Sequence, residues 1–152
     1  MEPTLHLTCG LPGSGKTTLA RQLAAERDAH RFTKDEWVLA LGGDLYDDEL
    51  RERVEARLIE LAFELLAAGR SCILDFGLWS RAERDALRLR AHAQGARVEL
   101  HVLDVGPDEL LRRVGRRYVD EPHTTAEISA EQLAAWVSSF EAPSDEERRL
   151  LD

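Results

Sequence analysis

Apolar residues are spaced in two different ways along the chain. Four short segments are almost continuously apolar, which is typical of buried strands in a parallel sheet. They cover residues 5–9, 31–33, 72–76 and 98–105. Between these segments, apolar residues recur at intervals of three or four, as they do in amphipathic helices. Strands that alternate with such helices predict an α/β fold with helices on both faces of the sheet.

The predicted helices have recognisable starts and stops. Residues 16–27 and 47–68 carry the clearest helical patterns, and Gly69 ends the second of them. Pro107 begins a later helix, because proline is favoured in a first helical turn. Capping residues mark three more helix starts, at Ser80 with Glu83, Ser129 with Gln132, and Ser144 with Glu147. No β-branched apolar run follows residue 105, so we expect four strands, or five strands of which the last is missing.

Composition narrows the classes of function. The 152 residues are 43% hydrophobic and 32% charged, which suits a single domain over residues 1–152. The net charge of −9 argues against a general binder of nucleic acid or of membrane surfaces. No apolar run is long enough to span a bilayer and the first residues do not resemble a secretory signal, so we expect a cytoplasmic protein. Cys9 and Cys72 lie in apolar segments at opposite ends of their strands, where we expect both to be buried and unpaired.

The strongest motif follows the first predicted strand. Residues 10–17 read GLPGSGKT and match GxxxxGK[ST] at every fixed position, between a strand and a helix. Glycines let backbone amides surround phosphate oxygens, and the helix N-terminus adds a favourable dipole. Lys16 would neutralise the β- and γ-phosphates and Thr17 would bind Mg²⁺. The alternative is a flexible turn without a ligand. The expected nucleotide contacts are Gly10, Leu11, Pro12, Gly13, Ser14, Gly15, Lys16, Thr17 and Thr18.

Four segments together resemble one family. They read GLPGSGKTT, FTKDEW, ILDFGLWSRAERD and HVLDVGPDELLRRVGRR, in this order, and the likeness extends from residue 5 to about residue 143. The chain resembles the small P-loop kinases related to adenylate kinase, in particular ATP-binding kinases similar to chloramphenicol phosphotransferase, zeta toxin and the 5′-hydroxyl kinase domain of polynucleotide kinase. This resemblance implies a three-layer P-loop NTPase fold with a parallel sheet in the order 2-3-1-4. It also implies ATP and Mg²⁺ as cofactors.

Two aspartates follow predicted strands. Asp35 follows the second strand, and the resemblance implies that it is the general base that accepts the proton of an acceptor hydroxyl. The alternative role of Asp35 is a helix cap. Asp75 ends the third strand, where a carboxylate would lie near Mg²⁺ and its waters. Its alternatives are contact with the acceptor, which the resemblance also allows, or a role in a turn.

Arginines follow in two places. Arg112 and Arg116 share one helix face, and Arg113 and Arg117 share another. The resemblance implies that this helix belongs to a lid, covering about residues 107–122, whose guanidinium groups contact the transferring phosphate. We expect Arg112 and Arg116 to face the nucleotide; the alternative is interaction with the helix dipole alone.

Residues near the two aspartates are candidates for an acceptor site. Arg81 and Arg84 would contact the acceptor or the lid, or else form a solvated helix start. Trp37, with Tyr46, Phe76 and Trp79, would form the apolar wall of the acceptor pocket, or else belong to the core.

Three functions fit these features. The first is ATP-dependent transfer of the γ-phosphate to a hydroxyl of a small molecule such as an antibiotic, nucleoside, sugar or nucleotide sugar. The second is a polynucleotide 5′-hydroxyl kinase, which the net charge disfavours because strand binding normally uses a basic surface. The third is a non-catalytic ATP-binding switch, which would need no acceptor base such as Asp35. We therefore predict a small-molecule kinase.

Overall fold

A parallel sheet forms the centre of the protein. The structure is a computed structural model that describes residues 2–122 and 128–152. Across these residues the sheet has four strands in the order β2-β3-β1-β4. They are β1 (Thr4–Cys9), β2 (His30–Thr33), β3 (Cys72–Gly77) and β4 (Arg97–Val102). All neighbouring strands are parallel, which confirms the predicted α/β fold and strand order.

One strand is shorter than predicted. The apolar run at 98–105 predicted a strand to residue 105, but β4 ends at Val102. Its partner β1 ends at Cys9, where the chain turns away, and a last ladder bond joins the Leu103 amide to the Cys9 carbonyl at 2.9 Å. Beyond this point no backbone among the described residues continues the ladder, so apolar residues alone do not extend the strand.

Helices connect the strands and complete the chain. They are α1 (Lys16–Arg27), α2 (Lys34–Ala40), α3 (Asp48–Ala67), α4 (Arg81–Ala93), α5 (Pro107–Asp120), α6 (Ala130–Ser139) and α7 (Asp145–Arg148). Ser129 and Gln132 form the predicted capping box. Ser80 accepts from the Glu83 amide as predicted, but the Glu83 carboxylate accepts from the Ser80 hydroxyl. The predicted reciprocal bond to the Ser80 backbone is thus replaced by a bond to its side chain.

The helices cover both faces of the sheet. Leu7 and Leu74 of the sheet pack against Leu58 of α3 and Leu87 of α4 in the main core. On the opposite face, Ile73 packs against residues of α1. This arrangement confirms the predicted three layers. It also sends alternate side chains of β1 to opposite layers, because successive residues of a strand point to opposite faces.

The two cysteines are buried and free, as predicted. In the register of β1 and β3, Cys72 lies opposite Leu5, whereas Cys9 lies opposite Gly77 at the other end. Among the described helices none is long and apolar enough to cross a membrane.

Candidate functional site

The loop between β1 and α1 curves around the end of β3. The Gly10 amide donates to the Gly77 carbonyl at 3.0 Å, which holds the loop against β3. Gly13 and Gly15 have φ values of +84° and +96°, a region that L-amino acids with side chains rarely adopt. A Cβ at Gly13 would lie 2.8 Å from Val114 of α5, so this glycine also permits close packing of α5.

Lys16 lies at the N-terminus of α1 and is half-buried. Desolvation by the surrounding protein lowers the pKa of its ammonium group, and the charges of Asp75 and Asp35 oppose this shift. The first amides of α1 have no acceptor within the helix, and its N-cap, Gly15, makes no side-chain cap. Lys16 and these amides are therefore donors facing the same region, as binding of a polyphosphate requires.

Asp75 is the centre of a buried hydrogen-bond network. Its Oδ2 accepts from the hydroxyls of Thr17 at 2.7 Å and Thr33 at 2.9 Å. Its Oδ1 accepts from the Thr8 hydroxyl at 3.0 Å. Because β3 lies between β2 and β1, Asp75 on β3 lies between Thr33 on β2 and Thr8 on β1. The structure thus unites Thr17 and Asp75, both predicted at the Mg²⁺ site.

The sequence analysis missed Thr8 and Thr33. Thr33 is the register partner of Asp75 on β2, so strand order and strand ends together could have identified it. The Thr8 side chain points from β1 towards Asp75, but Thr8 belongs to no sequence motif that would have identified it. Both hydroxyls donate to the Asp75 carboxylate and thereby orient it, as hydrogen-bond donors to metal-binding carboxylates do.

The residues present fit MgATP. The ammonium group, the free helix amides and the glycine backbone conformations suit phosphate oxygens, and a Cβ at Gly15 would project into open space. Thr17 and Asp75 offer a hydroxyl and a carboxylate oxygen side by side, which are ligands that suit Mg²⁺ or its waters. The donor set therefore matches both parts of the ligand.

Asp35 lies in the first turn of α2, next to this centre. Thr33 occupies the N-cap position, so the alternative of a capping Asp35 is wrong. The Asp35 carboxylate accepts from Arg51 at 3.0 Å, is about half exposed at 49%, and its charge acts on Lys16. The neighbouring Glu36 instead pairs with Arg21 and Arg31, both at 2.9 Å.

The arginines of α5 are placed in the opposite register to the prediction. Arg112 pairs with Glu109, and Arg116 faces solvent with 74% of its side chain exposed. Arg113 also pairs with Glu109, at 2.9 Å, but in addition donates to the Gly13 carbonyl at 3.4 Å. The charge of Arg117 also acts on Lys16.

The apolar stripe of α5 explains this register. Leu110 and Val114 are buried against the loop and α6. At 100° per residue, Arg112 and Arg116 lie on the side away from this stripe, whereas Arg113 and Arg117 flank it. The expectation that Arg112 and Arg116 face the nucleotide is therefore wrong in this structure.

Arg84 is structural in its placement. It is 3% exposed and donates to Glu147 at 2.6 Å and to the carbonyls of Leu78 and Glu141, both at 2.8 Å. These bonds hold the C-terminal segment against α4, so the expected contact of Arg84 with an acceptor or lid is wrong. Arg81 is partly exposed and pairs with Asp85 at 3.3 Å within the same helix.

The aromatic candidates separate into two groups. Trp79 donates to the Gly10 carbonyl at 3.3 Å and packs on Trp136, so it supports the phosphate loop from inside the protein. Trp37 is 38% exposed and lies against Phe32, beside Asp35. Phe76 lies beneath Lys34, whose ammonium group is 5.7 Å from the ring centroid. Trp37 and Phe76 thus lie next to the first turn of α2, which carries Asp35, and Tyr46 is exposed.

Comparison with known families agrees with this geometry. The family model AAA_33, described as an AAA domain, matches residues 5–143. The chain therefore belongs to the AAA_33 family of P-loop kinases. No curated protein matches it.

Several solved structures share the fold. A chain of the Pnkp1/Rnl/Hen1 RNA repair complex matches 99% of this chain with a TM-score of 0.74 and 23% identity; the protein spans only 46% of that longer chain. Kti12 from Chaetomium thermophilum, solved with ADP-AlF3, has a TM-score of 0.72 and 22% identity over 93% of this chain and 82% of its own. A gluconokinase from Sinorhizobium meliloti has a TM-score of 0.67 and 21% identity over 97% and 80%. At these identities the likeness establishes the fold.

Proposed function

We propose that the protein is an ATP-dependent kinase that transfers the γ-phosphate to a hydroxyl group of a small molecule. One observation carries this proposal: the Thr33 hydroxyl donates to Asp75 at 2.9 Å, so Asp35, two residues after Thr33, brings a second carboxylate beside the Asp75 centre. A phosphate-binding lysine with one carboxylate for Mg²⁺ would suffice for nucleotide binding alone. The second carboxylate supplies the base that transfer to a hydroxyl requires.

The chain's residues divide this work. Bound MgATP supplies the phosphoryl group, with ADP as the leaving group. Gly13, Gly15 and the first amides of α1 hold the phosphates, and Lys16 neutralises their developing charge. Thr17 and Asp75 hold Mg²⁺ directly or through water.

Asp35 performs the acceptor chemistry. It orients the acceptor hydroxyl and takes its proton as the oxygen bonds to phosphorus. Its ion pair with Arg51 holds the carboxylate in place. Trp37 and Phe76 line the same region, and Arg81 is a further candidate contact. Arg113 and Arg117, not their neighbours, contact the phosphates from α5.

Net charge supports a small acceptor over a polynucleotide. A chain of charge −9 has no general attraction for a phosphate backbone, and the structural likeness to an RNA repair protein extends only to the fold. Sugars and nucleosides carry hydroxyls that fit the proposed chemistry. We propose a cytoplasmic location for such an enzyme, where MgATP is supplied.

Transfer of labelled γ-phosphate from MgATP tests the proposal. One arm offers a pool of nucleosides, sugars and hydroxylated antibiotics, and the other offers a 5′-hydroxyl oligonucleotide. Labelling confined to the pool is expected, and its loss in Asp35→Ala but not in Glu36→Gln assigns the reaction to this site.

Other outcomes contradict the proposal in distinct ways. Labelling of the oligonucleotide identifies a polynucleotide kinase. ATP binding without transfer in either arm contradicts transfer to these acceptor classes and favours a nucleotide switch.

A further inference from the structure

Two histidines and a glutamate form a cluster on the sheet, outside the phosphate site. His6 lies on β1, and Glu99 and His101 lie on the edge strand β4. His6 is the register partner of Glu99, and His101 follows two residues later. Paired residues of neighbouring strands, and residues two apart on one strand, point to the same face of a sheet. The β1–β4 register therefore directs all three side chains together.

One atom of each residue contributes to a small triangle. His6 Nδ1 is 3.1 Å from His101 Nε2 and 3.4 Å from Glu99 Oε2. The third edge, between His101 Nε2 and the same Glu99 oxygen, is 3.7 Å. In a tetrahedral zinc site with bonds of about 2.0–2.2 Å, ligand atoms are separated by about 3.3–3.6 Å. The three edges scatter around this separation.

Hydrogen bonding alone does not explain the triangle. A hydrogen bond between the rings accounts for the shortest edge. Charged hydrogen bonds to a carboxylate are about 2.7–2.9 Å long, shorter than either distance from Glu99 to a ring nitrogen. The same Glu99 oxygen faces both rings without a close bond to either, as three ligands around one ion would be arranged.

The surroundings suit a metal ligand set. His6 is 1% exposed, and burial lowers its pKa to about 4, although the charge of Glu99 opposes this shift. Its ring is therefore neutral at pH 7, the form that coordinates metals. Glu99 and His101 have side chains 24% and 22% exposed, so an ion and a water ligand can reach the cluster from solvent.

We propose that His6, Glu99 and His101 bind one Zn²⁺ ion, with water as the fourth ligand. Two imidazoles and one carboxylate favour a borderline transition metal over Mg²⁺, which prefers oxygen ligands throughout. The ion links β4, at the sheet edge, to the central β1. This site is separate from the Asp75 network, whose side-chain groups are all oxygens.

Zinc titration of the chelator-treated protein tests the site. Free Zn²⁺ is measured by competition with a chromophoric chelator, in excess Mg²⁺ to occupy the phosphate site. One Zn²⁺ per chain is expected, together with a rise in thermal midpoint, since a ligand that binds only the folded state stabilises it. His101→Ala should weaken zinc affinity by at least about tenfold, since even the loss of a residue that only hydrogen-bonds to a metal ligand has an effect of that size.

Matched variants distinguish the site from other zinc binding. His30→Ala removes an exposed histidine at the opposite edge of the sheet and should leave affinity unchanged. Glu99→Gln keeps the side-chain size and should weaken binding as His101→Ala does, and far-UV circular dichroism checks that both variants fold. The proposal is overturned if the wild type binds no stoichiometric zinc or if His101→Ala binds like the wild type. Zinc binding abolished by Asp75→Asn alone would assign the ion to the phosphate site and overturn it equally.

Discussion

The Thr17 hydroxyl lies 2.7 Å from the Asp75 carboxylate, although 58 positions separate the two residues in the chain. Thr17 belongs to the first turn of α1, and Asp75 to β3 beside it. The hydroxyl and the carboxylate oxygen that would approach Mg²⁺ thus lie side by side. Groups held in place by their own hydrogen bonds need little reorganisation during phosphoryl transfer.

Replacing Asp75 should therefore abolish the use of Mg²⁺. Asp75→Asn keeps the side-chain shape but removes the charge, and we expect turnover to fall at least about a hundredfold. Thr33→Val removes only one hydrogen bond to Asp75 and should weaken Mg²⁺ affinity by about tenfold. Turnover measured against Mg²⁺ concentration separates the two effects. An unchanged Mg²⁺ dependence in Asp75→Asn would remove this residue from the metal site.

Lys16→Ala should lower turnover by about a hundredfold or more, since it removes the charge that stabilises the phosphates in the transition state. The variant should still fold, because burial disfavours the charged ammonium group and its removal relieves that cost. Arg57→Ala, on the exposed side of α3, is the control for a lost positive charge. Kinase activity equal to that of the wild type in Lys16→Ala would contradict the proposed phosphate site.

Asp35→Ala should keep nucleotide affinity and lose transfer by about 10²- to 10⁴-fold, the usual contribution of a general base. Glu36→Gln is the matched control, because Glu36 is the adjacent acid and pairs with Arg21 and Arg31. ATP affinity by calorimetry and turnover are measured for both variants. Loss of ATP binding in Asp35→Ala would indicate that its ion pair with Arg51 is structural.

Arg113→Ala should lower turnover more than Arg112→Ala, because only Arg113 contacts the phosphate loop. Both variants remove the same group from neighbouring positions of α5, so general effects on the helix are matched. An effect of about a hundredfold on kcat is expected for Arg113 if it stabilises the transferring phosphate. A larger loss in Arg112→Ala would restore the register that the sequence predicted.

Arg84→Met should destabilise the fold by about 3–5 kcal/mol, because it leaves Glu147 buried without its partner. Arg81→Ala, three positions earlier on the same helix and partly exposed, should change the free energy of unfolding by about 0.5 kcal/mol or less. Urea unfolding measures both. Equal stabilities of the two variants would show that the buried ion pair does not anchor the C-terminal segment.

Sequence patterns predict a site best where its residues lie in one continuous segment. Glycine, lysine and threonine in residues 10–17 act within one continuous segment, so their spacing alone predicts a phosphate loop. The arginines of α5 occupy two helix faces, and their spacing alone does not show which face approaches the phosphate loop. The apolar positions Leu110 and Val114 carried that information, since a buried stripe determines which neighbours approach the loop.

The sequence by itself determined the α/β class, the phosphate loop and the positions of the candidate carboxylates, because each depends on residues close together in the chain. Tertiary structure decided which distant side chains meet. The register of β1 with β4 brings His6 to Glu99 and His101, and the position of β3 between β2 and β1 brings Thr8 and Thr33 to Asp75. The buried pair of Arg84 with Glu147 joins residues 63 positions apart. Such contacts arise from strand order and packing, which local spacing does not encode.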